Sequence, residues 1–162
     1  MIFDFRIWAL ALGASMLVAT PLFAEEHEHV ATDGDIRIVH AWARAATAGT
    51  DTFVFLDIEN KGAADRLLSA ETGKAPTAEL VGITMKDGAS TTNPLGPLDI
   101  GNGETMLDPG GMAIMLSGLS EVLVKGEDFE LTVKFEKAGA VELDVEIEAA
   151  DAAQHSHAGH AH

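Results

Sequence analysis

An antiparallel β-sandwich is the fold class that this sequence predicts, on three observations. Some eight short segments read as strands, turn signals recur about every eight to twelve residues, and no stretch carries a convincing amphipathic helical period. The last two strands are the clearest. In Phe129 to Phe135 the odd positions are apolar, against Glu130, Thr132 and Lys134. In Val141 to Glu148, Val141, Leu143, Val145 and Ile147 alternate with Glu142, Asp144, Glu146 and Glu148, and Lys137-Ala138-Gly139 joins the two as a hairpin. Period two with one polar face means a sheet covered on one side, so the four carboxylates read as its solvated face.

From the N-terminus, residues 1–24 read as a signal peptide. Arg6 precedes the apolar run Ile7 to Leu22, and Ala24 stands at the cleavage point. The run is too short to cross a bilayer comfortably, so no stable membrane span is expected after cleavage, and the segment reads as directing secretion. Residues 25–35 are polar and aperiodic, a mobile arm. Ile36 to Arg44 is a first strand with Ile36, Ile38, His40 and Trp42 on one face, and His40 reads as a hydrogen-bonded structural histidine. Thr52 to Asn60 is a second strand whose Phe53 and Phe55 share a face. Asp65 to Glu71 is a third, and after Pro76, Ala78 to Met85 is a fourth, closed by Lys86-Asp87-Gly88. Ala89 to Gly103 reads as a long surface loop, extended only at Pro97 to Ile100. Glu104 to Asp108 leads into PGGMAIMLSGL, 109–119, where Pro-Gly-Gly is expected to reverse the chain. Beyond it Met112 and Ile114 face one way, Ala113 and Met115 the other. The domain spans residues 36–148, and 149–162 form a His-rich tail.

Composition narrows the function. The 162 residues carry a net charge of −16, which repels phosphates and excludes nucleic acid as a partner. There is no cysteine, hence no disulfide, thiolate nucleophile or thiolate metal site. With no G-x-S-x-G elbow, P-loop or H-E-x-x-H, no enzymatic activity is expected. Any metal is left to histidine, methionine, carboxylate or backbone.

Histidine is concentrated at both ends. Cleavage after Ala24 would expose Glu25-Glu26-His27, where the free amine, two amide nitrogens and the His27 imidazole can enclose Cu(II) or Ni(II) in a plane, with His29 alongside. At the other end His155, His157, His160 and His162 fall within eight residues, a metal-binding composition whose interruptions argue against a purification tag. Protons compete for imidazole, so loading is expected to fall as pH drops through about 6.5.

The order IRIVHAWARA, DRLLSAET, AEL, DPGG with MLSGL, and FEKAG at 135–139 resembles the PCu(A)C family of periplasmic copper chaperones across nearly all of 36–148. The resemblance implies a cupredoxin-like Greek-key sandwich that carries Cu(I) toward cytochrome oxidase assembly on two histidines and two methionines. Carried over by position, that ligand motif is degenerate. Val81 stands at the first histidine, no methionine lies near Thr92, and Ala113 replaces the histidine of the closing element, leaving Met115. Met85, four residues past Val81, is a candidate second thioether. The leading reading is therefore a periplasmic copper-binding protein of chaperone or buffering type. It would bind Cu(II) at its His-rich ends rather than Cu(I) in the domain, with cytochrome oxidase assembly proteins as partners. Zinc or nickel handling is one alternative, and a non-metal protein-interaction module built on the same fold is another.

Overall fold

The computed structural model describes residues 30–155, which are all strand, turn and loop. Eleven strands follow one another among them: β1 (Ala31–Asp33), β2 (Ile36–Arg44), β3 (Thr52–Asn60), β4 (Asp65–Glu71), β5 (Thr77–Lys86), β6 (Ala89–Pro94), β7 (Leu98–Ile100), β8 (Gly103–Leu107), β9 (Met112–Ser117), β10 (Asp128–Phe135) and β11 (Ala140–Glu148). They pair in the order β6-β5-β9-β3-β2-β11-β10-β4-β7, with β1 beside β2 and β8 beside β3. The sheet rolls on itself until β4 lies against β5, which gives the expected sandwich. All pairings are antiparallel except β11 with β2, which is parallel and sets Glu146 beside Trp42 and Glu148 beside Arg44.

Alternation builds the interior as predicted. Val54, Leu56 and Ile58 of β3 meet Leu131 and Val133 of β10 and Val145 and Ile147 of β11, all essentially sealed from solvent. A second, smaller apolar cluster of Trp42, Phe55, Val81 and Ala113 lies on the opposite face of the sheet. Two faces of β2 and β3 are thus packed, which one-sided alternation does not anticipate.

The reason lies at His40. Val39 pairs with Asp57 and Trp42 with Phe55, so β2 spends one residue more than β3 over the same span, and His40 takes a φ of +54°. This is a β-bulge with a non-glycine residue in the left-handed region. It inverts the parity of the strand. Ile36 and Ile38 join Ala41 and Ala43 in the main core, while Trp42, expected beside them, turns to the other face.

Other expectations need correction. Pro109-Gly110-Gly111 does not reverse the chain. Both β8 and β9 run antiparallel to β3, with Leu107 opposite Leu56 and Ile114 opposite Val54, so the segment loops out and rejoins the same edge. Asp108 closes that loop itself: its Oδ1 accepts from the Gly110 amide at 2.8 Å, and neither glycine needs a positive φ. The supposed surface loop after Gly88 begins as a strand. Asp87 and Gly88, with φ of 52° and 79°, make the kind of two-residue turn that matches strand twist, and β6 zips back along β5 with Thr84 and Thr91 hydroxyls 2.9 Å apart. At the N-terminus, Ala31–Asp33 pairs with Ile36–Ile38 and so belongs to the sheet.

One corner is fixed by a single carboxylate. Asp65, at the start of β4, accepts from the amides of Arg66 at 2.7 Å, Lys137 at 2.9 Å and Ala138 at 2.9 Å, while the Lys137 ammonium donates to the Ala64 carbonyl. The FEKAG segment therefore serves the β10–β11 hairpin. Burial would raise the Asp65 pKa, but those three amides and the Lys137 charge outweigh it and hold it below the usual 3.8.

Candidate metal site

The outer face of β2 and β3 carries an aromatic platform. Trp42 and Phe55, opposite one another across the two strands, have ring centroids 4.7 Å apart, and Phe53 lies 6.3 Å from Phe55. The Arg44 guanidinium sits over both rings, 5.9 Å from Trp42 and 5.4 Å from Phe55. These contacts explain the Trp-Ala-Arg sequence without invoking a ligand. Residues 42 and 44 share a face of the strand, and the bulge turns that face outward.

Two neighbours of this platform differ in chemistry. On the β9 side, Val81 and Ala113 are direct cross-strand partners and both are wholly buried against Trp42 and Phe55. On the β11 side, the chain after Glu148 folds back over the sheet. Arg44 Nε donates to the Ala152 carbonyl at 2.8 Å, Ala152 packs on the platform, and His155 is carried inward until its side chain is only 7% exposed. There His155 Nε2 lies 2.9 Å from Glu146 Oε2, and donor atoms of Glu146, Glu148 and His155 all fall within 4.8 Å of one another. Glu148 is 5% exposed. The expected solvated face of β11 therefore holds for Glu142 and Asp144 but fails for Glu148 and partly for Glu146, because the returning segment covers them.

His40 borders this cluster. Its Nδ1 is 3.0 Å from Asp57 Oδ2, as expected of a hydrogen-bonded histidine, and its ring centroid is 6.4 Å from that of His155. The bulge makes this possible, since it places His40 and Asp57 at the edge of the platform.

Of the residues singled out from the sequence, His155 is at the centre of this cluster. His27, His29, His157, His160 and His162 lie outside the described residues. Met115 is half-buried against the Val81–Ala113 pair, whereas Met85 is 70% exposed. The two thioethers are not brought together. Met115 pairs with Glu79, and Met85 is six residues further along β5, roughly 20 Å away at strand spacing. Glu146, Glu148, His40 and Asp57 were not marked as ligands by sequence reasoning. The i, i+2 spacing of the two glutamates was visible, but the fold-back that buries them was not.

By architecture this is a PCuAC-type β-sandwich. The LpqE-like lipoprotein family model matches residues 36–147, and the chain belongs to that family. No curated protein sequence matched. Among solved structures, the copper-bound PCuAC domain from PmoF2 is 25% identical with a TM-score of 0.63, over 75% of this chain and 98% of that one. The apo PCuAC domain from PmoF1 is 27% identical with a TM-score of 0.63, over 75% and 99%. The Cu(I)-bound DR1885 from Deinococcus radiodurans, at 22% identity and a TM-score of 0.50 over 67% and 76%, shares the fold.

Proposed function

We propose that this is a periplasmic copper-handling protein, a chaperone or buffer rather than an enzyme, which holds Cu(II) at its histidine-bearing ends instead of Cu(I) within the sandwich. The PCuAC likeness supports copper as the cargo, since the PmoF2 domain is copper-bound. One observation carries the departure from the sandwich. Val81 and Ala113, which by the resemblance stand at ligand positions, oppose each other in a sealed apolar cluster that offers no donor but the Met115 thioether. A lone thioether is a weak ligand set even for Cu(I), whereas imidazole suits Cu(II). The His27, His29, His157, His160 and His162 imidazoles then form the loading sites, and oxidase-assembly proteins are the recipients in this reading.

The test is a pair of titrations on the secreted protein, with Cu(II) and with Cu(I) under a competing chelator. Deleting residues 156–162 and replacing His27 and His29 by alanine should remove most Cu(II) capacity. Unchanged stoichiometry, or tight Cu(I) binding that vanishes with Met115→Leu, would overturn the proposal. Zinc and nickel competitions on the same samples separate copper from the other borderline ions.

A further inference from the structure

We propose that Glu146, Glu148 and His155 form an anchored site for a divalent transition-metal ion, with His40 at its rim, distinct from the imidazoles of the tail and from the Val81–Ala113 position. The three donor groups come from a strand and from the segment that folds over it, and they converge within 4.8 Å. Ligands of one tetrahedral ion at about 2.0 Å are roughly 3.3 Å apart, so small rotamer changes close the set. Two carboxylate oxygens and an imidazole nitrogen are a borderline donor set, suited to Zn(II) or Cu(II) and poorly to Cu(I).

Two further observations point the same way. The first is how firmly the returning segment is seated. The Arg44–Ala152 hydrogen bond and the packing of Ala152 on the aromatic platform place His155 over two carboxylates that lie side by side on β11. The second is His40. An imidazole whose Nδ1 is held by a carboxylate, here Asp57 at 3.0 Å, has the orientation typical of a metal-bound histidine and keeps Nε2 for the ion. Two imidazoles on one tetrahedral ion have ring centroids about 5 Å apart at usual metal–nitrogen distances. The observed 6.4 Å between His40 and His155 is close to that. In this arrangement metal binding locks the root of the His-rich tail to the sheet, so that an ion captured by the tail has a fixed site to pass to.

The experiment uses the full mature chain, with Zn(II) followed by dialysis and thermal shift and Co(II) followed by its visible spectrum. Expected is one Zn(II) equivalent that raises Tm, with a tetrahedral Co(II) spectrum. E146Q/E148Q should weaken that equivalent by about 100-fold or more and abolish the Tm rise. Replacing His157, His160 and His162 by alanine should leave both intact. Should the double variant fold poorly, H155Q is read in its place. Equal Zn(II) affinity and Tm rise in the cluster variants, or their loss on removing only the three tail histidines, would overturn the proposal. The inference does not depend on copper as cargo: retention of this equivalent alongside unchanged Cu(II) capacity in tail-deleted protein would sink the terminal-histidine reading alone.

Discussion

Asp65 and Glu148 are equally buried, each 5% exposed, but they sit in opposite surroundings. Asp65 is ringed by three backbone N–H donors, one from β4 and two from the β10–β11 hairpin, and by a lysine of that hairpin. Glu148 shares its space with a second carboxylate from its own strand and with an imidazole brought there by the segment that follows β11. A carboxylate met by fixed amides is part of the framework, because the charge is satisfied wherever the chain is folded. One set beside another carboxylate and an imidazole stands among residue types that ligate borderline metal ions. The contrast separates residues that make the fold from residues that give it something to do.

The largest effect should come from the framework carboxylate. Asp65→Ala removes the acceptor of three amides and leaves them buried, at a cost of about 2–4 kcal/mol in urea melts, the same with and without Zn(II). Glu148→Gln should cost mainly when Zn(II) is present. Equal metal-independent losses in both variants would erase the distinction drawn between them. The pH dependence has a definite sign. The folded pKa of Asp65 lies below its ordinary 3.8, so its contribution is complete above about pH 4 and is lost as pH falls through the lower folded value. Asp65→Asn should flatten that acid limb of the stability curve.

Next in size is the apolar neighbour of the platform. The double replacement Val81→His, Ala113→His places two imidazoles opposite each other beside Met115. Without metal it should destabilise the domain by about 1–3 kcal/mol, since bulk and polarity enter a sealed cluster. With Cu(I) it should bind at least about 100-fold more tightly than the parent in chelator competition, a gain of about 2.7 kcal/mol. No gain would mean that this cluster does not set two imidazoles and a thioether around one ion.

Much of the framework was legible in the sequence, and the reason is physical. The strands Asp128–Phe135 and Ala140–Glu148 fall within a residue of the bounds that alternation predicts, because burial on the main core imposes period two. The β6 strand was hidden because all its residues are exposed, so no apolar alternation marks it. The candidate site was less legible for two further reasons. A bulge at His40 inverts the parity of β2, and nothing in the residue types announces a histidine with positive φ. The parallel pairing of β11 with β2 and the fold-back of 149–155 are long-range events, which set Glu146 and Glu148 beneath His155 although local pattern marks them as solvated. His155 itself was legible, but as one of four tail imidazoles rather than as a buried one.

A smaller effect probes how the second carboxylate is reached. Arg44→Ala removes the donor to Ala152 and the guanidinium over Trp42 and Phe55, a loss of about 1–2 kcal/mol. Faster hydrogen exchange and proteolysis should be confined to residues 149–155, with the Asp65 corner protected as before. Uniform loss of protection would show that the returning segment is part of the same cooperative unit as the framework.

The smallest expected effect is at Met115. Replacement by leucine conserves volume in a half-buried position against Val81 and Ala113, so stability should change by less than about 1 kcal/mol. The metal readouts carry the argument. If the thioether is packing, Met115→Leu leaves Cu(II) and Zn(II) stoichiometry and the Zn(II)-induced Tm rise where they were, and Cu(I) stays weak. If instead the variant loses Cu(I) affinity by tenfold or more, a sulfur in the apolar cluster is holding metal with donors from outside it. The platform then has two loading positions, and the contrast between its apolar and acidic neighbours becomes one between soft and borderline ligand sets.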